Sequence, residues 1–159
     1  MLIIKYFKAI SDAAMAEEVK KKAKLAIIAW SGSVDKLYPV AILSSAAAAG
    51  GWEVELFFTF WGLNAIRKEM LNAPPKISSD YAEYGPAVAQ AMKEMNMPPW
   101  HQLLAQAKAM GNVKIYACST TMQLFGIKDK SALADFVDDV VGAATFLERA
   151  KDAAVTLFI

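Results

Sequence analysis

One cysteine, Cys118, and one histidine, His101, are all the thiol and imidazole chemistry that this 159-residue chain holds. A lone cysteine excludes an intramolecular disulfide, and together with a lone histidine it cannot assemble a zinc site, so no metal is expected. Charge of one sign is scarce too. Seventeen Lys and Arg stand against 16 Asp and Glu, for a net charge of +1, and there is no basic stripe of the kind that neutralises a phosphate backbone. Nucleic acid is therefore not expected as a main partner. Long apolar runs are also missing. The longest uncharged stretch, residues 37–52, includes Ser44, Ser45, Gly50 and Gly51 and falls short of the roughly 18 to 20 apolar residues that span a bilayer. No transmembrane segment is expected. Residues 1–8 hold a short apolar patch broken by Lys5 and Lys8, with no small-residue cleavage site behind an apolar core, so the cytoplasm is the default compartment.

What the chain does have is apolar content. At 56% hydrophobic and 21% charged residues it is far from the disordered class and large enough for one core. Residues 1–23 read as an N-terminal extension, a helix and solvated lead-in carrying Lys5, Lys8, Lys20, Lys21 and Lys22. Residues 24–159 read as a single domain with an insertion at about 72–99, bracketed by Pro74-Pro75 and Pro98-Pro99, pairs that block helix propagation. Strands are predicted at 25–30, 52–58, 113–117, 135–140 and 154–159. Helices are predicted from Val34 to Gly50, over 63–71, near 85–96, from Trp100 to Gly111, after Cys118, and over 143–150. Alternating strands and helices joined by short turns imply an α/β fold with a largely parallel sheet of five strands and helices on both faces. The apolar excess, with aromatic and Met-rich segments, predicts a homo-oligomer.

In such sheets ligands bind beyond the carboxyl ends of the strands. Three groups fall there: Ser31-Gly32-Ser33, the run from Thr59 to Asn64, and Cys118-Ser119-Thr120-Thr121. A thiol at a helix start meets backbone N–H donors that favour thiolate, which makes Cys118 a candidate nucleophile; the competing reading is a small buried hydrophobe. Ser119, Thr120, Thr121 and Asn64 are the candidate polar groups around that thiol, Phe60 and Trp61 its candidate apolar cover, and Ser31 and Gly32 a weaker candidate anion cradle. His101 sits beside an apolar helix face, away from any Ser/His/Asp setting, and Asp138-Asp139 read as a solvated turn. The insertion reads as a cover or docking surface, with Tyr81, Tyr84, Met92, Met95 and Met97 as its contacts, or as a packing element against a neighbouring subunit.

The run Glu55-Leu56-Phe57-Phe58-Thr59-Phe60-Trp61-Gly62-Leu63-Asn64, the segment from Ala117 to Ile127 and the ending Leu157-Phe158-Ile159 resemble the DsrE/DsrF-like family, in particular its FFTFWGL-type subgroup often labelled peroxiredoxin-like. The subgroup's cysteine motif reads ACxMSMDxMGI. Ala117, Cys118, Met122, Gly126 and Ile127 match it, whereas Thr120 and Phe125 replace methionines and Gln123 replaces an aspartate. The resemblance implies a three-layer α/β/α fold, trimers or multiples of them, no cofactor, and sulfur carried on Cys118 as a persulfide or thiosulfonate, with TusA-like or rhodanese-like proteins as partners. Losing the aspartate removes a charge-setting group near the thiol. Two other classes stay open: a non-catalytic oligomeric or ligand-binding protein, and a one-cysteine thiol peroxidase, although the PxxxTxxC motif of true peroxiredoxins is missing before Cys118.

Overall fold

The structure, a computed structural model, describes residues 22–159; of the expected N-terminal extension, 1–23, residues 1–21 lie outside the described residues. Five strands form one sheet: β1 (Lys24–Ala29), β2 (Glu53–Phe58), β3 (Val113–Cys118), β4 (Asp139–Val141) and β5 (Val155–Phe158). Their order is β4-β3-β2-β1-β5, and each adjacent pair is parallel. Such strands are covered on both faces and so read as continuous apolar runs. Ala26, Ile27, Val54, Leu56, Phe58, Ile115 and Ala117 are fully buried.

Six α-helices connect the strands: α1 (Val34–Ala49), α2 (Phe60–Ala65), α3 (Gly85–Glu94), α4 (Trp100–Met110), α5 (Ser119–Leu124) and α6 (Ala143–Ala150). Because β1 to β4 step outward in one direction, right-handed crossovers place α1 and α4 together on one face. Alanines let them approach closely: a Cβ built on Gly111, just past α4, would lie 3.4 Å from that of Ala48 in α1. The return to β5 reverses direction and puts α6 on the opposite face, where Phe146 stacks on Phe57 with centroids 4.8 Å apart. The result is a three-layer α/β/α architecture. Among the described residues no helix is long and apolar enough to cross a membrane.

Two elements and one residue depart most from the sequence reading. The helix expected over 63–71 starts at Phe60 and stops at Ala65, and a 3-10 turn, Lys68–Met70, follows. The early start is possible because Phe60 takes φ 44°, a left-handed value that turns the chain straight from strand into helix. The fourth strand is Asp139–Val141 rather than 135–140. Asp138 is no solvated turn. Its carboxylate accepts from the Ile115 amide at 2.8 Å and pairs with Lys108 and Lys114, while its own amide donates to the Ile115 carbonyl at 2.8 Å, so it pins the entry of β4 to β3.

Candidate functional site

Cys118 is both the last residue of β3 and the N-cap of α5. The parallel register pairs Phe58 with Ala117, so the residue after each, Thr59 and Cys118, emerges side by side at the carboxyl edge. The hydroxyls of Thr59 and Thr121 lie 3.0 Å apart, and the Phe60 amide donates to the Thr121 hydroxyl at 3.2 Å. Thr121, 1% exposed, turns its side chain toward Cys118, Thr59 and Phe60.

The thiol is 5% exposed. Burial pushes its pKa up, but hydrogen bonds from the Thr121 hydroxyl and amide, the Thr59 hydroxyl and the Thr120 amide outweigh burial and hold it below the ordinary thiol value. The proton inventory explains the direction. A hydroxyl has one proton to give, and in the thiol state the Thr59 and Thr121 hydroxyls can satisfy each other. In the thiolate state both can turn to sulfur, an acceptor worth more when charged.

A second group gathers nearby at the carboxyl end of β1. Gly62 is required there, since a Cβ would stand 2.2 Å from the Ala29 carbonyl oxygen, and its amide donates to Trp30 at 2.8 Å. Gly32 is held equally tightly, its Cβ position 2.6 Å from the Trp61 carbonyl oxygen. Ser31, Gly32, Trp61, Asn64 and His101 line a cavity of about 930 Å³ that Cys118 does not line. The structure thus brings Cys118, Thr120 and Thr121 together with Phe60, whose amide joins them, and gathers Ser31, Gly32 and Asn64 elsewhere. Asn64 accepts from Arg67 at 3.3 Å through its carbonyl oxygen. Ser119 Oγ lies 3.9 Å from the Cβ position of Gly142. Trp61 belongs to both groups, lining the cavity while its ring stacks on Phe125 just past α5, centroids 5.6 Å apart. Phe60 and Trp61 remain about half exposed.

Thr59 opened one of the candidate groups at the strand ends but was given no role of its own. Its signal was available: it ends the strand beside the cysteine strand, so its side chain had to arise next to Cys118. Among the described residues no group of three or more His, Cys, Asp or Glu is arranged to hold a metal.

The sequence matches the DsrE/DsrF/DrsH-like family over residues 21–80 and 76–158, and the chain belongs to that family. It is 34% identical to the Uncharacterized protein YrkE of Bacillus subtilis (strain 168), over 91% of this chain and 100% of that protein. It is 32% identical to the Sulfur carrier protein DsrE2 of Allochromatium vinosum, over 87% of this chain and 99% of that protein.

Proposed function

We propose that this DsrE/DsrF/DrsH-like chain carries sulfane sulfur on Cys118. The observation behind the reading is the convergence of the Thr59, Thr120 and Thr121 donors on a thiol whose pKa they hold down; the likeness to a protein named as a sulfur carrier supports it. The Cys118 thiolate attacks the outer sulfur of a donor persulfide R–S–SH. The donor S–S bond breaks, RS⁻ leaves and takes a proton from solvent, and Cys118–S–SH forms. With tetrathionate the thiolate takes a central sulfur, thiosulfate leaves, and Cys118 holds a thiosulfonate. No second cysteine exists to resolve the adduct, so an acceptor thiolate on another molecule takes the outer sulfur and returns Cys118 to its thiolate. Partners presenting one reactive thiol, of the TusA-like or rhodanese-like kind, fit that step. Self-association fits the exposed Trp30, Leu124 and Phe158.

The near-complete burial of Cys118 favours a second reading, a structural cysteine in a non-catalytic protein. One experiment separates the two. Intact mass spectrometry after exposure to polysulfide or tetrathionate should show a reductant-labile sulfur or thiosulfonate adduct that Cys118→Ser abolishes. A wild-type protein that stays unmodified while its thiol still alkylates would leave only the structural reading.

A further inference from the structure

Among the described residues α3 has no fully buried side chain; Met92 is partly buried against the core, and the helix otherwise packs on the 3-10 turn ahead of it, Ser79–Tyr84. Its apolar side, Val88, Ala89 and Met92, nevertheless faces the domain across the cavity of about 930 Å³. The segment that carries α3 is tethered at both ends. Ser78 donates through its amide and hydroxyl to Asp35 at 2.9 and 2.6 Å, and the Val34 amide donates to the Lys76 carbonyl at 2.7 Å. At the other end the Tyr38 hydroxyl donates to the Pro98 carbonyl at 3.1 Å. Two anchors, each beside a Pro-Pro pair, hold α3 so that Met92 and, just past it, Met97 touch the core while Val88 and Ala89 border open space.

That space has the character of a ligand pocket. Its volume lies within the roughly 300–1,000 Å³ of small-molecule sites. It opens at the carboxyl end of β1, where the chain, having stepped from β1 to β4, returns past β1 to β5; this reversal of strand order is where open α/β sheets take ligands. Trp61, Trp100, Met92 and Met97 make apolar walls, and Ser31, Ser33, Asn64 and His101 bring polar atoms. The Asn64 amide nitrogen has no acceptor among the described residues, since only its oxygen is engaged. Burial holds the His101 pKa below its usual value, so near neutral pH the ring is uncharged. Lys76 is the one charged residue among those that line the space, and the nearby Asp35 carboxylate is taken up by the Ser78 amide and hydroxyl. The lining charge therefore favours an anion over a cation.

We propose that this cavity binds a small amphiphile with an anionic head, its apolar body lying between α3 and the Trp61 and Trp100 wall, its head on the Asn64 amide and the positive charge of Lys76. The site is independent of Cys118. Isothermal titration of the full-length chain with dodecanoate and with dodecylammonium, both below their micelle concentrations, tests it. Dodecanoate should bind one to one and at least about tenfold more tightly than the cation, a factor worth about 1.4 kcal/mol. Val88→Trp and Met92→Trp, which fill the space from α3, should each weaken it about tenfold or more, and Cys118→Ser should leave it unchanged. Failure of dodecanoate to bind at about 1 mM, equal binding of the cation, or binding unaltered in both filled variants overturns the proposal. So does a Val88→Trp variant whose oligomer dissociates while the wild type binds no dodecanoate, because the gap is then a contact between copies.

Discussion

Thr121→Val removes one oxygen from the centre of the cysteine site and leaves the shape of the side chain nearly unchanged. That hydroxyl donates to the Cys118 thiolate, meets the Thr59 hydroxyl at 3.0 Å and accepts from the Phe60 amide at 3.2 Å. A hydrogen bond to a charged group is worth about 1.5–3 kcal/mol, and one pKa unit corresponds to about 1.36 kcal/mol. The variant should therefore raise the Cys118 pKa by about one to two units. Stability should fall as well, by about 0.5–1.5 kcal/mol, because the part-buried Phe60 amide loses its acceptor; at about 2–4 °C per kcal/mol this is a drop of a few degrees in Tm. Alkylation by iodoacetamide followed from about pH 5 to 10 reads the thiolate fraction directly. An unmoved midpoint in the variant would refute the claim that Thr121 sets the thiol's ionisation. The linkage has a definite sign. A thiol pKa lower folded than unfolded means that the folded state binds fewer protons, so its stabilising contribution grows as pH rises from the folded pKa and is complete above the unfolded value. Wild type minus Cys118→Ser should show stability rising over that window, and a flat difference would contradict it.

Gly62→Ala should destabilise by more than about 3 kcal/mol or prevent folding, since its Cβ would stand 2.2 Å from a backbone oxygen that cannot move without shifting β1; a Tm within 2 °C of wild type in thermal unfolding would refute the close approach. Asp138→Asn should cost about 1–3 kcal/mol by loosening β4 from β3. Burial raises the Asp138 pKa, but Lys108, the Ile115 amide and Lys114 together lower it. The wild-type advantage over the Asn variant is therefore present above the unfolded carboxylate pKa and lost as pH falls through the lower folded value, and an advantage that persists in acid would overturn this. Asp35→Asn should weaken the anchor at Ser78 and raise the rate of limited proteolysis within 72–99 while leaving the global Tm within about 2 °C.

The elements that were legible were those whose signal is local. Leu25–Ala29 is an apolar run of strand length, Val54–Phe58 and Val113–Cys118 are such runs broken once each by Glu55 and Lys114, and Trp100, Leu104 and Ala107 repeat at helical spacing and are buried in the structure. The DsrE/DsrF-like resemblance rested on particular motifs, and the family match agrees with it. What was not legible depends on partners distant in sequence. Asp138 looks like a turn residue until Lys108, Ile115 and Lys114 are brought around it. Phe60 reads as strand or loop until its amide finds Thr121 across the strand ends and holds the positive φ. Asn64 lies in the same aromatic run as Thr59, yet the turn into α2 carries it to the cavity and leaves Thr59 at the cysteine.

That separation follows from sheet geometry. Parallel strands in register deliver the residues at their carboxyl ends to one edge, and successive residues along a strand alternate between faces about 3.3 Å apart. With Phe58 opposite Ala117, Thr59 arrives beside Cys118; a slip of one residue would present Phe58 or Phe60 there and leave the sulfur facing an apolar ring with no proton to offer it. Gly62 fixes the next step, because tucking α2 under the Ala29 and Trp30 carbonyls aims the Phe60 amide at Thr121 rather than at solvent. Two segments more than fifty residues apart in sequence, the aromatic run and the cysteine segment, therefore act as one unit. The run supplies the threonine and the turn that organise the donors, and the cysteine segment supplies the thiol they act on. The thiol's ionisation is thus set by β2–β3 register and by the fit of one glycine against β1 as much as by anything adjacent to Cys118 in the chain.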